Sequence, residues 1–333
     1  MNRSEPRTDT DFGFPHASSP RERWRVLLRS AIQAPSSHNT QPWQFHMVND
    51  RLEIYADRSR WLRVADRDKR ELYVSLGCAL ENLLIAIEHH GFGHEVAIPV
   101  EAEEGEPAAV VRLTEPGFRL PARQNLFPAI SARFTDRGAY RDRSLDPQTL
   151  ERLRQVVVEP SISVVLTADR AIREEVEAIV TRANNLQFAD PAWRRELGTW
   201  VGKGLLGTSF LVSKVSQLAV TYLDLSGRTT REDVNRLETA PVVGVIRSGS
   251  ASTRERIQAG QVLERIWLRA TADGLRLHPM NQALQIPETK RELEALFELG
   301  SDSAQIVFRL GYGTAAATET PRRPVEDVLR TPA

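Results

Sequence analysis

Gly77-Cys78-Ala79-Leu80-Glu81-Asn82-Leu83-Leu84-Ile85, ending at Gly91-Phe92, is matched further along by Gly260-Gln261-Val262-Leu263-Glu264-Arg265-Ile266-Trp267-Leu268, ending at Gly274-Leu275. First and last glycines are each 183 positions apart, the mark of a repeated unit. Both copies read as long helices apolar on most faces, each followed by a Gly that can take the left-handed position after a helix C-terminus. They read as the central helices of two related units.

Ala109 to Leu113 and Ile306 to Leu310 repeat in the same order, as β-branched runs that read as strands leaving the helix layer. Val157-Val158-Glu159-Pro160-Ser161 falls in the second half where Ile32-Gln33-Ala34-Pro35-Ser36 falls in the first. Each half reads helix, loop, strand, long helix, strand, which is an α+β pattern. The expected organisation is a disordered arm over residues 1–20, a first half over 21–120 and a second half over 121–333. The join lies near Pro116 to Pro128, where Gly117, Pro121 and Asn125 break any periodicity. An insertion at about 200–230, with Gly202, Gly204 and Gly207 before the apolar Phe210 to Leu225, reads as a lid or an extra packing helix.

At 333 residues the chain buries a substantial core. Lys+Arg and Asp+Glu are both 44, so no net field recruits nucleic acid or an anionic membrane, and a small molecule is the expected partner. Only four of the basic residues are Lys, which lowers the weight of any single Arg. Cys78 is the one cysteine, so no intramolecular disulfide forms, and in its helical run it reads as a buried inert thiol. No signal-peptide core is present near the start, and no stretch approaches the roughly 20 apolar residues of a membrane span. A soluble cytoplasmic protein is expected.

The polar loop Ala34-Pro35-Ser36-Ser37-His38-Asn39-Thr40-Gln41-Pro42-Trp43 is the strongest local signal. Its prolines push the preceding residues away from helix, so the chain is expected extended, with Ser36, Ser37, Asn39 and Gln41 offering donors and acceptors to a planar, partly anionic ligand. A plain helix-to-strand connector accounts for the same residues. Arg133-Phe134-Thr135-Asp136-Arg137 puts two guanidiniums four apart around a hydroxyl, a possible phosphate fork, or else a surface turn in which Asp136 pairs with an Arg. Arg322-Arg323, fixed between Pro321 and Pro324, is a second and weaker anion signal. Gly202-Lys203-Gly204-Leu205-Leu206-Gly207 has dinucleotide-loop spacing but no buried strand before it, and reads as a hinge. His89, His90 and His94 sit at a helix C-terminus, where partial positive charge is favourable without a metal. No G-x-S-x-G elbow is present.

Taken together, the Ala34 to Trp43 loop, Arg133 to Arg137, Gly274 to Gln282 and Pro321-Arg322-Arg323-Pro324 resemble the FMN-dependent nitroreductase superfamily. More closely, the chain resembles the Acg-type branch, in which two nitroreductase-like halves are fused, and the likeness runs from about Arg21 to Leu329. The resemblance implies an α+β three-layer sandwich around a central antiparallel sheet, with tandem halves forming an intramolecular pseudo-dimer. It implies that Pro35, Ser36, Ser37 and Asn39 lie along the flavin from one half. Arg133, Thr135 and Arg137 match an Arg-x-Ser-x-Lys pattern for phosphate and ring edge, with Thr and Arg as departures. Pro279, Met280, Asn281 and Gln282 match the loop near the reactive nitrogen, and Arg323 with Arg322 the phosphate-binding C-terminal position.

Because the loop survives only in the first half and the arginines only in the second, one FMN per chain is expected. The implied activity is electron transfer from NADH or NADPH through flavin to a nitroaromatic, quinone or similar small-molecule acceptor, without a titrating catalytic side chain or a metal. His38 is a candidate proton source or a mere polar contact. The alternative is an FMN-sequestering protein with a closed lid and no turnover, and an oxidative tailoring dehydrogenase is a third reading. A monomer or weak homodimer, binding neither nucleic acid nor membrane, is expected.

Overall fold

The structure is a computed structural model that describes residues 19–48, 50–203, 240–313 and 320–330. The arm, apart from its last residues, and nearly all of the 200–230 insertion lie outside the described residues.

Helix α1 (Pro20–Ala31) starts where local chemistry directs it. Ser19 and Glu22 form a reciprocal capping box, and Pro occupies the first turn. Strands β1 (Trp43–Val48) and β2 (Arg51–Ala56) form a tight hairpin, and β3 (Gly93–Ala97) and β4 (Ala109–Thr114) complete an antiparallel sheet in the order β1-β2-β4-β3. The second half builds β5 (Ile162–Thr167), β6 (Val242–Ser248), β7 (Arg276–Pro279) and β8 (Ser303–Gly311) in the order β5-β6-β8-β7, again antiparallel throughout. The two topologies are the same, so the duplication read from three short segments extends to every strand. The expected antiparallel sheet is therefore built once per half.

Between the sheets lie α2 (Arg70–His89) and the helix that repeats it, Thr253–Ala272. The latter is α7, after α3 (Phe127–Ala132), α4 (Pro147–Arg154), α5 (Arg170–Ala189) and α6 (Pro191–Gly202). The two central helices cross at their glycines. A Cβ on Gly77 would stand 2.0 Å from the Ile257 carbonyl oxygen, and one on Gly260 would stand 2.1 Å from that of Val74. Val74 and Ile257 are themselves 183 apart, so an internal two-fold axis passes through this contact. Gly91 (φ +85) and Gly274 (φ +75) end the helices in the left-handed conformation, as their positions require. By length and composition α2 could cross a membrane, contrary to the sequence expectation, but 94% of that stretch is buried as the core helix. One apolar core runs through both halves, including Trp24, Leu83, Val262 and Phe308.

The halves differ most between the first two strands. β1 passes to β2 within two residues, whereas the connection from β5 to β6 spans 168–241 and includes α5 and α6. The insertion thus begins some thirty residues before the boundary read from glycines, because α5 and α6 carry ordinary helical patterns. The remaining α-helices among the described residues are α8 (Gln282–Gln285), α9 (Pro287–Leu296) and α10 (Val325–Val328). The segment ending in α10 returns to the first half, where Leu329 bridges Phe45 and the Arg330 N–H donates to the Phe45 carbonyl at 2.7 Å.

Candidate functional site

The Ser36 to Gln41 loop is a short 3-10 turn and not the extended segment expected from its prolines. His38 (φ 51), Asn39 (φ 53) and Gln41 (φ 51) all adopt left-handed backbone, which is uncommon for residues other than Gly and concentrates at functional sites. The turn is closed by Ser36, whose Oγ accepts from the Gln41 N–H at 2.9 Å. It holds Pro35, Ser36, Ser37 and His38 on one wall of a cavity of 300 Å³.

The opposite wall comes from the second half. Thr135 and Arg137 line it together with His278, Pro279, Asn281 and Gln282. The Arg133 to Arg137 segment is an extended strip beside β7, with Thr135 bridging Leu277, and is not a helical fork. Arg309 fastens it by donating from Nη2 to the Gly138 carbonyl at 2.8 Å. Asn281 is turned toward the sheet, its Oδ1 accepting from the Val307 N–H at 3.2 Å. The central helices close the cavity with Glu71, Ser75, Cys78, Leu263 and Trp267. Thus both halves contribute, and the site straddles the internal dyad.

Six predicted residues are not on these walls. Met280 packs in a core cluster at 2% exposure. Asn39 and Gln41 turn toward the C-terminal segment: Asn39 Nδ2 donates to the Pro321 carbonyl at 2.9 Å, and Gln41 Oε1 accepts from the Arg323 N–H at 2.7 Å. Arg323 itself points outward, with Nη1 donating to the Gln41 carbonyl at 3.0 Å and standing 3.5 Å from Asp57 Oδ2, and Nη2 donating to the Asp327 carbonyl at 2.6 Å. Arg133 is buried beneath the cavity, stacked 4.6 Å from the ring of Trp267. Arg322 joins Arg133 at one acceptor. Their Nη2 groups donate to the Gln33 carbonyl at 3.2 and 2.9 Å respectively.

Several cavity groups carried no sequence signal. Glu71 accepts from Ser37 Oγ and from Gln285 Nε2, the latter at 2.7 Å, and pairs with Arg70 at 3.1 Å. Its neighbours come from loop, helix and second half, an assembly that only tertiary packing creates. Burial lowers the pKa of His38, with Glu71 opposing and Arg137 reinforcing, so its imidazole is neutral at pH 7. Cys78 faces the cavity but donates to the Gly260 carbonyl at 3.2 Å, and burial pushes its thiol well above the usual range. Beneath lies Glu264, whose oxygens face Asn82 without a well-formed hydrogen bond among the described residues and have Arg133 Nε at 3.4 Å. Burial raises its carboxyl to about 7 against the pull of Arg133.

The dyad-related corner is filled. Arg265, equivalent to Asn82, donates from Nε to Glu81 at 2.7 Å and from Nη1 to the Val156 carbonyl at 2.7 Å, and it pairs with Glu159 of the decayed loop. Arg123 adds a two-pronged contact to Glu81 at 2.7 and 3.0 Å and reaches Glu88 at 2.8 Å, while Gln261 donates to Glu81 at 3.0 Å. Buried side chains stand where the first half has its open loop. His94 closes this network on Glu88 at 3.0 Å, and His89 stacks on Phe127 at 3.8 Å.

No family model matches the chain. A Mycobacterium tuberculosis protein named as a candidate NAD(P)H nitroreductase is 27% identical over 96% of this chain and 93% of its own length. The Acg protein of the same organism, also named as a candidate NAD(P)H nitroreductase, is 23% identical over 91% and 95%. Among solved structures, the FMN- and NADPH-dependent nitroreductase NfnB from a Sphingopyxis strain is 16% identical with a TM-score of 0.43, over 63% of this chain and 99% of that one. By sequence the chain is similar, over nine-tenths of its length, to proteins named as candidate NAD(P)H nitroreductases. The likeness to Acg runs nearly end to end in both chains.

Proposed function

We propose that the chain is a cytoplasmic, FMN-binding oxidoreductase that takes electrons from NAD(P)H and passes them to a nitroaromatic, quinone or related small acceptor. The observation that carries this reading is the cavity between the halves, walled by the strained Pro35 to His38 turn on one side and by Thr135, Arg137 and Asn281 on the other. The residues fit a flavin in two respects. Apolar surfaces from Val74, Leu263, Trp267 and Pro279 face many convergent polar groups, as a planar polar ring needs, and the buried Trp267 Nε1 beside the cavity has no hydrogen-bond partner among the described residues. FMN would supply the redox chemistry itself.

The chain's part is binding and electrostatics. Arg133 and Arg322 already share the Gln33 carbonyl, and a phosphate oxygen is a stronger, charged acceptor for the same guanidiniums. Arg137 and Thr135 hold positive charge and a hydroxyl on the wall where negative charge would develop on reduction. His38, kept neutral by burial, orients by hydrogen bonding and brings no imidazolium. The internal dyad places the interface between the two halves within one chain, which supports a monomer with one FMN per chain.

The purified protein should be yellow, and its flavin band should bleach on anaerobic addition of NADPH and recover with nitrofurazone. Tightly bound FMN that neither NADH nor NADPH reduces would remove the reductase reading in favour of sequestration. Bleaching by an organic substrate without nicotinamide would favour a tailoring dehydrogenase.

A further inference from the structure

A second chamber, of 420 Å³, opens beside the first. Gln187, Trp193 and Gln285 line both chambers. The two amides form a shared wall, with Gln187 Nε2 donating to Gln285 Oε1 at 2.6 Å and Gln285 passing the chain on to Glu71 at 2.7 Å. An amide pair can exchange partners with a ligand, since each amide is both donor and acceptor.

The outer lining is apolar along Val64, Leu186, Leu284 and Ile286. Its two acids, Asp68 and Asp190, and two bases, Arg67 and Lys290, balance formally, but all except Arg67 are engaged by other groups. Asp190 is engaged in capping α6 through the Ala192 N–H at 2.8 Å, and Asp68 pairs with Arg256 at 3.3 Å. Lys290 donates to Ser303 Oγ at 2.9 Å. It also stands 3.8 Å from Glu294, and burial first, then the nearby Arg70, lower its ammonium pKa while Glu294 and Asp68 oppose. Arg67 lines the chamber and makes no hydrogen bond or ion pair among the described residues. The result is an apolar chamber with a cation to offer, joined through an exchangeable polar wall to the cavity assigned to the flavin.

We propose that the outer chamber is a second compartment of the substrate site, which takes the anionic, partly apolar end of an elongated acceptor whose planar redox-active end enters the inner cavity. This rests on the reductase reading for turnover but not for binding. Arg67 is then a specificity-determining residue, attracting the anionic group, while Val64, Leu284 and Ile286 bury the apolar stem.

The test compares 1,4-naphthoquinone with 1,4-naphthoquinone-2-sulfonate on the FMN-loaded protein and its Arg67→Ala variant. The substitution should raise KM for the sulfonate about three- to fivefold relative to that for the neutral quinone, the size expected for one partly exposed charge. Added salt should weaken the wild-type preference in the same direction. Calorimetric Kd values for the sulfonate, which need no turnover, should shift by the same factor. A protein that binds the sulfonate through Arg67 but reduces neither quinone keeps the chamber and loses the reductase reading. Equal effects of Arg67→Ala on both probes, or no effect on either, overturn the proposal.

Discussion

Glu81 and Glu264 occupy equivalent points of the internal dyad, 183 positions apart on the central helices, and their electrostatics are opposed. Both are fully buried. Burial opposes ionisation of Glu81, but Arg123 and Arg265 bring its carboxyl down to about 2, whereas burial leaves Glu264 at about 7 with Arg133 as its one ion-pair partner among the described residues. One carboxylate closes its corner of the molecule. The other is left with incomplete hydrogen bonding beneath the cavity, beside the arginine assigned to phosphate.

A raised carboxyl pKa stabilises the fold only while the group is neutral. The contribution of Glu264 is therefore complete below its unfolded value near 4.5 and is lost as pH rises through about 7. The difference corresponds to about 3 kcal/mol. Glu264→Gln should raise stability by about that amount at pH 8 and change it little at pH 5, read from urea denaturation at the two pH values. A pH-independent effect would show that Glu264 is ionised throughout. For Glu81 the sign reverses: its stabilisation is present above 4.5 and lost as pH falls through 2.

The glycines at the helix crossing should tolerate no side chain. Each Cβ would meet the backbone carbonyl of the opposite helix near 2 Å, and the far end of no flexible side chain can yield to relieve it. Gly77→Ala or Gly260→Ala should cost about 3 kcal/mol or more by forcing the central helices apart. Alanine is otherwise the better helix former by about 1 kcal/mol, so a neutral or stabilising result in thermal unfolding would contradict this crossing.

The fold was legible because the central helices kept their glycines and glutamates in register, and glycine is where backbone approaches backbone. The cavity was legible in part. Pro35, Ser36, Ser37, Thr135, Arg137, Pro279, Asn281 and Gln282 lie on its walls because short loops with prolines and hydroxyls have few ways to fold. Glu71, Gln187 and Gln285 were not legible, since each sits in an ordinary helical pattern and acquires meaning only from partners in other elements, Gln187 and Glu71 from Gln285 about a hundred or more residues away. The choice between Arg322 and Arg323 was equally hidden. Neighbours on an extended chain face opposite ways, and which one faces inward depends on where Gln41 and Gln33 fix the strip.

That choice can be measured. Arg322→Ala removes a guanidinium that converges with Arg133, and FMN affinity should fall about tenfold to a hundredfold, as for a charge-assisted contact worth about 1.5–3 kcal/mol. Arg323→Ala should leave affinity nearly unchanged but lower thermal stability, because its side chain ties the C-terminal segment to Gln41 and Asp327. Flavin fluorescence titration against melting temperature separates the two. Loss of FMN binding in Arg323→Ala without loss of stability would return the phosphate role to that residue.

Flavin titration of the whole chain should end at one FMN. The second corner holds Arg265 and Glu159 where the first has Asn82 and Ala34, and the side chains added there are bonded to Glu81 and Arg123 as a single buried network. Arg265→Asn with Glu159→Ala should empty that corner yet still bind one FMN, because the Ser-Ser-His-Asn turn has no counterpart after Ser161. The same pair should destabilise the fold by about 3–5 kcal/mol, since Arg123 and Glu81 would lose part of their compensation in a buried setting. A second equivalent of FMN in the unmodified chain would mean that the filled corner opens. A second equivalent in the double variant alone would mean that the buried network, and not the lost turn, is what limits the chain to one flavin.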